Sequence, residues 1–444
     1  MPTRCMLLLL DGLGDRAYAA FQRRTPLQAA RTPYLDRLAA LGANGSFHAS
    51  RQGEALPSEN AHFAIFGYTP ESFPGRGPLE ALGAGIDLTL SDVAVLSHFA
   101  SLQQDGRGLV LKNGKLSVGP DEIRQLAALA ADFEHGGVRV CFHHTHKAHG
   151  LLTLHGNVAP FFTDTDPVTE GRLLIEPLAH AGYEQDAAVG SAVAALKSYL
   201  LHIYRSLKGH PINRMRGGMR REAGLDSIDG LVTQRAGRLK PVQPFEQRYG
   251  LKGLSMASGL VYQGLSRFIG MDFAKVNDSE DPGEDMAWRI GQAHRALNEY
   301  EFVHVHTKVP DEAAHTKDPE KKKTAIEALD AGLARSLPAV LDDPDILVVV
   351  TSDHSTPSSG PLIHSGETVP LIFYGRGVRP DDVDRFDEVS AVRGALGQVR
   401  GSELMLMILN ALDRAKLHGL MDTPRDQPYW PGSYTAFKID PNAA

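Results

Sequence analysis

Cysteine is almost absent: Cys5 and Cys141 are the only two in 444 residues. Two thiols in so long a chain exclude a disulfide-stapled scaffold and a cysteine-rich zinc domain, and they suit a reducing cytosol. Long hydrophobic runs are lacking too, and no segment approaches the ~20 apolar residues that span a bilayer. The apolar start Cys5–Leu10 stops at Asp11, with no small-residue cleavage site after it, so it reads as a buried strand rather than a signal peptide. A cytoplasmic protein is expected. Excess positive charge is also missing, since 46 Lys and Arg stand against 53 Asp and Glu, a net charge of −7. That balance argues against nucleic acid and anionic membranes as partners. What is present is globular: 42% hydrophobic and 22% charged residues are enough to build cores and too apolar for a disordered chain.

Buried-strand runs alternate with helical patterns at both ends of the chain. The runs are Cys5–Leu10, Phe302–His306, Ile346–Thr351 and Pro370–Tyr374, and the helical stretches include Arg31–Leu41 and Asp318–Leu337. Such alternation indicates an α/β core with a mostly parallel sheet. In these sheets ligands sit beyond the carboxyl ends of the strands. The middle mixes strand-like pieces (Gly108–Leu111, Val138–Phe142, Leu151–Leu154) with helix-like ones (Asp121–Ala131, Ser191–Leu207) and reads as an inserted α+β domain. Hinges are expected at Leu90–Asp92 and Lys240–Pro244, which places one discontinuous domain, 1–91 with 246–444, around an insert at 92–245. The Arg/Gly-rich run Asn213–Arg221 reads as an exposed loop.

Polar residues gather where the apolar runs end. If Asp311–His315 begins a helix, Asp311 and His315 lie four apart on one face, which suits a shared metal; a solvated helix start with an acidic cap is the alternative. Asp353-His354 follows the valine-rich run, with His364 a short loop later, and a polar turn is the plain explanation. A charged pair at the end of a buried strand nevertheless needs a partner. Asp11 adds a carboxylate after the first run. Gly12 and Gly14 beside it make only a weak dinucleotide-loop signal, because position 17 is Ala. Ser58 follows Pro57 and precedes an apolar helical pattern, which fits a helix N-cap. The same position would let a helix N-terminus stabilise a phosphate beside a serine nucleophile.

Seven stretches carry a resemblance: Asp11–Arg16 (DGLGDR), Thr25–Leu38, Ser58–His62 (SENAH), Gly75–Gly85, Phe245–Leu251, His306–His315 (HTKVPDEAAH) and Asp353–Pro357 (DHSTP) with His364. Together they resemble the cofactor-independent phosphoglycerate mutases, in particular the archaeal-type branch, within the alkaline phosphatase superfamily. The resemblance implies an alkaline-phosphatase-like core and a two-metal phosphoryl-transfer site. Asp311, His315 and His364 would hold one divalent ion, and Asp11, Ser58, Asp353 and His354 the other. Ser58 would be the nucleophile, with Lys308 near the phosphate. Mn²⁺ is the first choice of metal, with Mg²⁺, Co²⁺ and Zn²⁺ allowed by the ligands, and no 2,3-bisphosphoglycerate is required. The implied activity is interconversion of 3- and 2-phosphoglycerate through a phosphoserine.

The inserted region departs from the pattern. Relatives usually carry Arg after Gly-Asp-Val-Ala, where this chain has Val95-Leu96 after Ser91-Asp92-Val93-Ala94. They carry a His-Arg pair where Ala148-His149 stands, and a His where Val168 follows Asp164-Thr165-Asp166-Pro167. These departures leave room for a phosphatase or phosphotransferase acting on another small phosphorylated metabolite, for example with a homoserine-type acceptor. A binding protein with a vestigial site is a third reading, opposed by the complete ligand set. Arg235 and Arg238 resemble the R-A-x-R pair of the longer bacterial branch and are candidate substrate ligands, as are Asp164, Asp166 and His149. The histidines His143, His144, His146, His149 and His155 would either rebuild a phosphate or metal site or face solvent in part. Oligomeric state is not legible.

Overall fold

The computed structural model describes residues 1–215, 224–431 and 434–439. It forms two compact units: Met1–Glu71 with Val242–Gly259 and Ile269–Ala444, and Ser72–Pro241 with Leu260–Phe268.

The strands, in chain order, are β1 (Arg4–Leu10), β2 (Ala43–His48), β3 (Val93–Asp105), β4 (Gly108–Asn113), β5 (Phe133–His135), β6 (Val138–His146), β7 (His149–His155), β8 (Gly230–Gly237), β9 (Gly253–Ala257), β10 (Asp272–Lys275), β11 (Phe302–Thr307), β12 (Ile346–Thr351), β13 (Val369–Tyr374) and β14 (Gly397–Arg400). The first unit holds an eight-stranded sheet in the order β10-β9-β11-β1-β12-β13-β2-β14. Only β13 runs against the others. Parallel strands covered on both faces read as unbroken apolar runs, which is why MLLLL and ILVVV are strands here. Leu8 of β1 pairs with Val305 of β11 on one side and Val350 of β12 on the other. This shared register brings the carboxyl ends of the three strands to one edge of the sheet, at Asp11, Lys308 and Ser352-Asp353.

The second unit is built on a six-stranded antiparallel sheet, β4-β3-β7-β6-β5, with β8 also paired to β3. The helix Ala187–Lys208 buries Ala192, Ala195, Leu196, Tyr199, Ile203 and Leu207 in this unit's core. Asp186 caps it by accepting from the Ala188 and Val189 amides, and Arg205 and Lys208 complement its C-terminus. This helix corrects the expectation that no segment reaches membrane-spanning length and apolarity: its 22 residues include an 18-residue window of mean hydropathy 1.2, which is enough by length and composition alone. Alanine and leucine on its outer face raise the hydropathy, while its inward stripe packs as in an amphipathic helix.

The chain passes between units at 71/72, 241/242, 259/260 and 268/269, whereas crossings at 91/92 and 245/246 were expected. Segment 260–268 goes with the second unit because the helices Arg76–Gly83 and Leu260–Phe268 meet at Gly83 and Gly264. A Cβ on Gly264 would lie 1.6 Å from the Leu79 carbonyl oxygen. Of the Arg/Gly-rich run, Asn213–Met215 end the helix Pro211–Met215 and the remainder lies outside the described residues.

Candidate metal centre

The three strand ends of the first unit deliver the site. After β1 the backbone turns at Gly12, whose φ is +64°. A Cβ there would fall 2.7 Å from Asp311 Oδ1 and 2.6 Å from Thr356 Oγ1, so glycine serves both the turn and the close approach. The Gly12 amide donates to Asp353 Oδ1 (3.0 Å) and the Leu13 amide to Ser352 Oγ (3.0 Å), tying the first turn to the loop after β12. Below them Lys322, fully buried, donates to the carbonyls of Gly14 and Thr356 and pairs with Asp15 at 3.2 Å. Asp15 also accepts from the Ser358 amide and hydroxyl.

Ser58 opens the helix Ser58–Ile65 as its first helical residue; Pro57, not Ser58, takes the cap position. The hydroxyl is therefore not engaged as a cap, and Oγ lies 3.0 Å from His354 Nε2. Asp311 and His315 do share one face of the helix Val309–His315, with His315 Nε2 3.2 Å from Asp311 Oδ2. His364 Nε2 is 3.6 Å from Asp311 Oδ1, and its ring stacks on His354 at 3.8 Å between centroids. His354 Nε2 is 3.4 Å from Asp11 Oδ1 and 3.2 Å from Asp353 Oδ2. Lys308 stands at the start of the helix Val309–His315, half-buried.

Two overlapping groups have ligand atoms all within 4.8 Å of one another: Asp311, His315 and His364, and Asp11, Asp311 and His354. Asp311 thus faces both groups, although it was expected with the first ion alone. Asp353 stands outside the second group but keeps contact with His354. The electrostatics favour cations here. Burial, with Asp11 beside it, pushes the Asp353 carboxyl well above its usual range, and its buried Oδ2 accepts no hydrogen bond. Burial also pushes Asp311 up, but His315, His354 and Thr356 outweigh it and hold this carboxyl below the usual range. Burial lowers His354 to about 3, which keeps the imidazole neutral and its lone pair available. Buried acids crowded with neutral imidazoles fit divalent ions, which such carboxylates require for charge balance.

Three further residues belong to this centre. His62 Nδ1 donates to the Ser58 carbonyl (2.8 Å) and lies 3.5 Å from Asp353 Oδ2. His306 Nε2 reaches Asp11 Oδ2 at 2.9 Å, and Thr356 Oγ1 donates to Asp311 Oδ1 at 2.7 Å. All three sit inside the matching stretches SENAH, HTKVPDEAAH and DHSTP, but their residue types alone read as core or turn. The available signal was that His62 follows Ser58 by one helical turn.

The candidate substrate ligands all fall in the second unit; Asp164 and Arg235 form one group, Asp166 and His149 another, and Arg238 stands apart from both. Asp164 and Arg235, with His180, line one cavity of about 470 Å³, and the Arg235 amide donates to Asp164 Oδ1 at 2.7 Å. Arg235 holds a left-handed backbone, φ +56°. Asp166 accepts from Gln234 (3.3 Å) and lies 3.9 Å from His98, whose ring is 5.3 Å from that of His149. His149 stacks in turn on His146. The Arg238 guanidinium donates to the Val158 carbonyl. Among the described residues, His143, His144, His146, His149 and His155 join no group of metal-ligand spacing. His143 and His155 instead bond Thr153, and His155 also bonds Asp92.

A family model described as the metalloenzyme superfamily matches residues 3–411. The protein of Methanocaldococcus jannaschii called 2,3-bisphosphoglycerate-independent phosphoglycerate mutase 2 is 38% identical over 438 residues, covering 96% of this chain and 97% of its own. The chain belongs to the cofactor-independent phosphoglycerate mutase family. The same organism's phosphoglycerate mutase 1 is 33% identical and covers 94% of this chain and 99% of its own length. A solved protein of Pyrococcus horikoshii superposes with a TM-score of 0.75 at 28% identity, covering 95% of this chain and all (100%) of its own. The cofactor-independent phosphoglycerate mutase of Thermoplasma acidophilum gives 0.62 at 26%, over 92% of this chain and 100% of its own. The mostly parallel sheet of the first unit agrees with the expected α/β fold class, and membership of a metalloenzyme family implies divalent metal ions.

Proposed function

We propose that this chain interconverts 3- and 2-phosphoglycerate without 2,3-bisphosphoglycerate, through a phosphoserine on Ser58. The observation that supports it best is Ser58 Oγ at a helix start, 3.0 Å from His354 Nε2 and bordered by the two Asp/His groups. The relatives named as phosphoglycerate mutases across nearly the whole chain favour this reading over a phosphatase or a homoserine-type phosphotransferase. Asp311, His315 and His364 would hold one divalent ion, and Asp11, Ser58, Asp353 and His354 the other, with Mn²⁺ the first candidate. When bound, such ions neutralise phosphoryl oxygens and lower the pKa of the serine hydroxyl.

The chain's own part follows. Ser58 gives up its hydroxyl proton and its Oγ attacks phosphorus as the bond from phosphorus to the substrate oxygen breaks, and that oxygen takes up a proton in exchange. The helix N-terminus and Lys308 stabilise the transferring group. The second glycerate hydroxyl then gives up its proton, attacks the phosphoserine and frees Ser58. Arg235, with Asp164 fixing its backbone, is our candidate for holding the substrate carboxylate or phosphate, because a guanidinium binds either in bidentate fashion. Arg238, Asp166 and His149 shape the same unit.

Purified protein with Mn²⁺ and 3-phosphoglycerate, coupled to enolase, should form product with no free phosphate and no ATP. Phosphate release without enolase-coupled product would convert the reading to phosphatase. Ser58→Ala should abolish both phosphoenzyme and transfer, and phosphate labelling that survived it would sink the mechanism.

A further inference from the structure

We propose that His306 is a positioning residue: it turns one oxygen of Asp11 away from the metal centre and so presents the other to it. The inference rests on the two-metal reading above. β11 runs parallel to β1 with Leu9 opposite His306, and the Asp11 amide donates to the Thr307 carbonyl at 3.0 Å. The backbone therefore fixes where Asp11 starts, and the His306 side chain fixes how it ends. A carboxylate oxygen only accepts, so the 2.9 Å contact makes His306 Nε2 the protonated nitrogen, donating to Asp11 Oδ2. Oδ1 is thereby left on the side of His354 Nε2, 3.4 Å away, and Asp11 is grouped there with Asp311 and His354. A histidine outside the ligand set that orients a ligating carboxylate is a recurrent way of raising metal affinity.

His306 is itself held firmly. Arg289, 1% exposed, donates to the His306 carbonyl (2.7 Å) and to the Asn277 carbonyl (2.9 Å), with Asp278 as its counter-ion. A guanidinium is tolerated at such depth only where its charge and donors are matched, and one of its matches here is the backbone of His306. Across the ring, His62 packs edge-on at 4.9 Å and blocks rotation. An apolar side chain would fill this volume equally well, but it would not select between the two oxygens of Asp11.

The test counts ions rather than turnover. Stripped protein is reloaded with Co²⁺ or Mn²⁺, bound metal per chain is measured by mass spectrometry after gel filtration, and Co²⁺ absorption follows each addition. Wild type should take two ions. His306→Leu should weaken one of them by about 10- to 100-fold and leave the other unchanged. His306→Gln, which can place a donor near the Nε2 position, should recover most of that loss. Two ions bound by His306→Leu with wild-type affinity would overturn the proposal. If His306→Leu does not fold, the pair His306→Gln and His306→Asn decides, since the shorter amide cannot reach Asp11: equal affinities in these two overturn it, and loss in Asn alone supports it. A wild type that binds no ion overturns the two-metal reading itself.

Discussion

The first unit buries one ion pair, and the guanidinium of a second whose acid is exposed, under its site, whereas the long helix of the second unit buries only carbon and one tyrosine hydroxyl. Lys322 pairs with Asp15 out of contact with water, and Arg289 pairs with Asp278 on the other flank. In the helix Ala187–Lys208 the buried positions are Val189, Ala192, Ala195, Leu196, Tyr199, Ile203 and Leu207, and the Tyr199 hydroxyl donates to the Ala130 carbonyl. Dispersion and burial hold a helix on a sheet, but they do not fix a carboxylate to within a fraction of an ångström. Charge-assisted hydrogen bonds do, at the cost of desolvation. The first unit carries that cost where the turns after β1 and β12 must meet, and the second has no such requirement along its helix.

Removing the metals should separate the units most. Chelation should abolish transfer, and it should lower the stability of the first unit by about 4 kcal/mol per ion when free metal was ~1,000-fold above Kd. Hydrogen exchange read by peptide should show the loss in β1, β11 and β12 and little change in the helix Ala187–Lys208. The pH dependence gives the sign. Burial and Asp11 raise the Asp353 carboxyl in the metal-free fold, so the folded state keeps a proton that the unfolded chain releases above the usual carboxylate range. Stability from that proton is present at low pH and is lost as pH rises through the raised value. Metal-bound protein needs the carboxylate ionised and behaves in the opposite sense. The difference in Tm between metal-bound and metal-free protein should therefore widen as pH rises from the usual carboxylate range through the raised value. A constant difference would argue that Asp353 stays outside the metal-binding set.

The same contrast explains what was legible beforehand. Ile346–Thr351 was readable residue for residue, because a strand covered on both faces has little choice but unbroken apolar sequence. β2, ANGSFH, is just as buried yet has no apolar run to mark it, since Asn44 is made tolerable by Asp381 far along the chain. β3 hides in the same way, with Ser97, His98 and Ser101 all buried. Asp11, Asp311, His315, Asp353, His354 and His364 stood out because acids and histidines at the ends of apolar strands need an explanation. His306 did not, because a histidine within a strand resembles any satisfied core residue until Asp11 is seen beside it.

The next contrast sets a buried charge against buried carbon. Lys322→Met removes one partner and leaves Asp15 buried, which should cost about 3–5 kcal/mol and loosen the Gly12 turn, so metal affinity should fall with stability. Leu196→Ala in the second unit should cost about 2–5 kcal/mol by cavity formation, with metal affinity unchanged. Denaturant melts paired with Co²⁺ titration measure both quantities on each variant. Equal loss of metal affinity in the two variants would mean that the units respond as one, and the contrast drawn from Lys322 would fail.

The smallest stability effect is expected at Arg235, where the second unit does carry a local strain. Its φ of +56° is unfavourable for a side-chain-bearing residue, and the Asp164 carboxylate holds the conformation by accepting from the Arg235 amide. Such strain is of order 1–3 kcal/mol and is kept only where the surroundings enforce it. Arg235→Gly releases it but gives the unfolded chain more freedom, which costs about 0.5–1 kcal/mol and offsets part of the gain. Stability should rise by about 0–2.5 kcal/mol on this balance. Loss of a hydrogen bond to a charged group is worth about 1.5–3 kcal/mol, so the KM for 3-phosphoglycerate should rise by roughly 10- to 100-fold. Metal content should stay at the wild-type value. A Gly variant with wild-type KM would show that the strained arginine serves the fold of its own unit alone, and acceptor binding would then have to be sought around His98, His149 and Asp166.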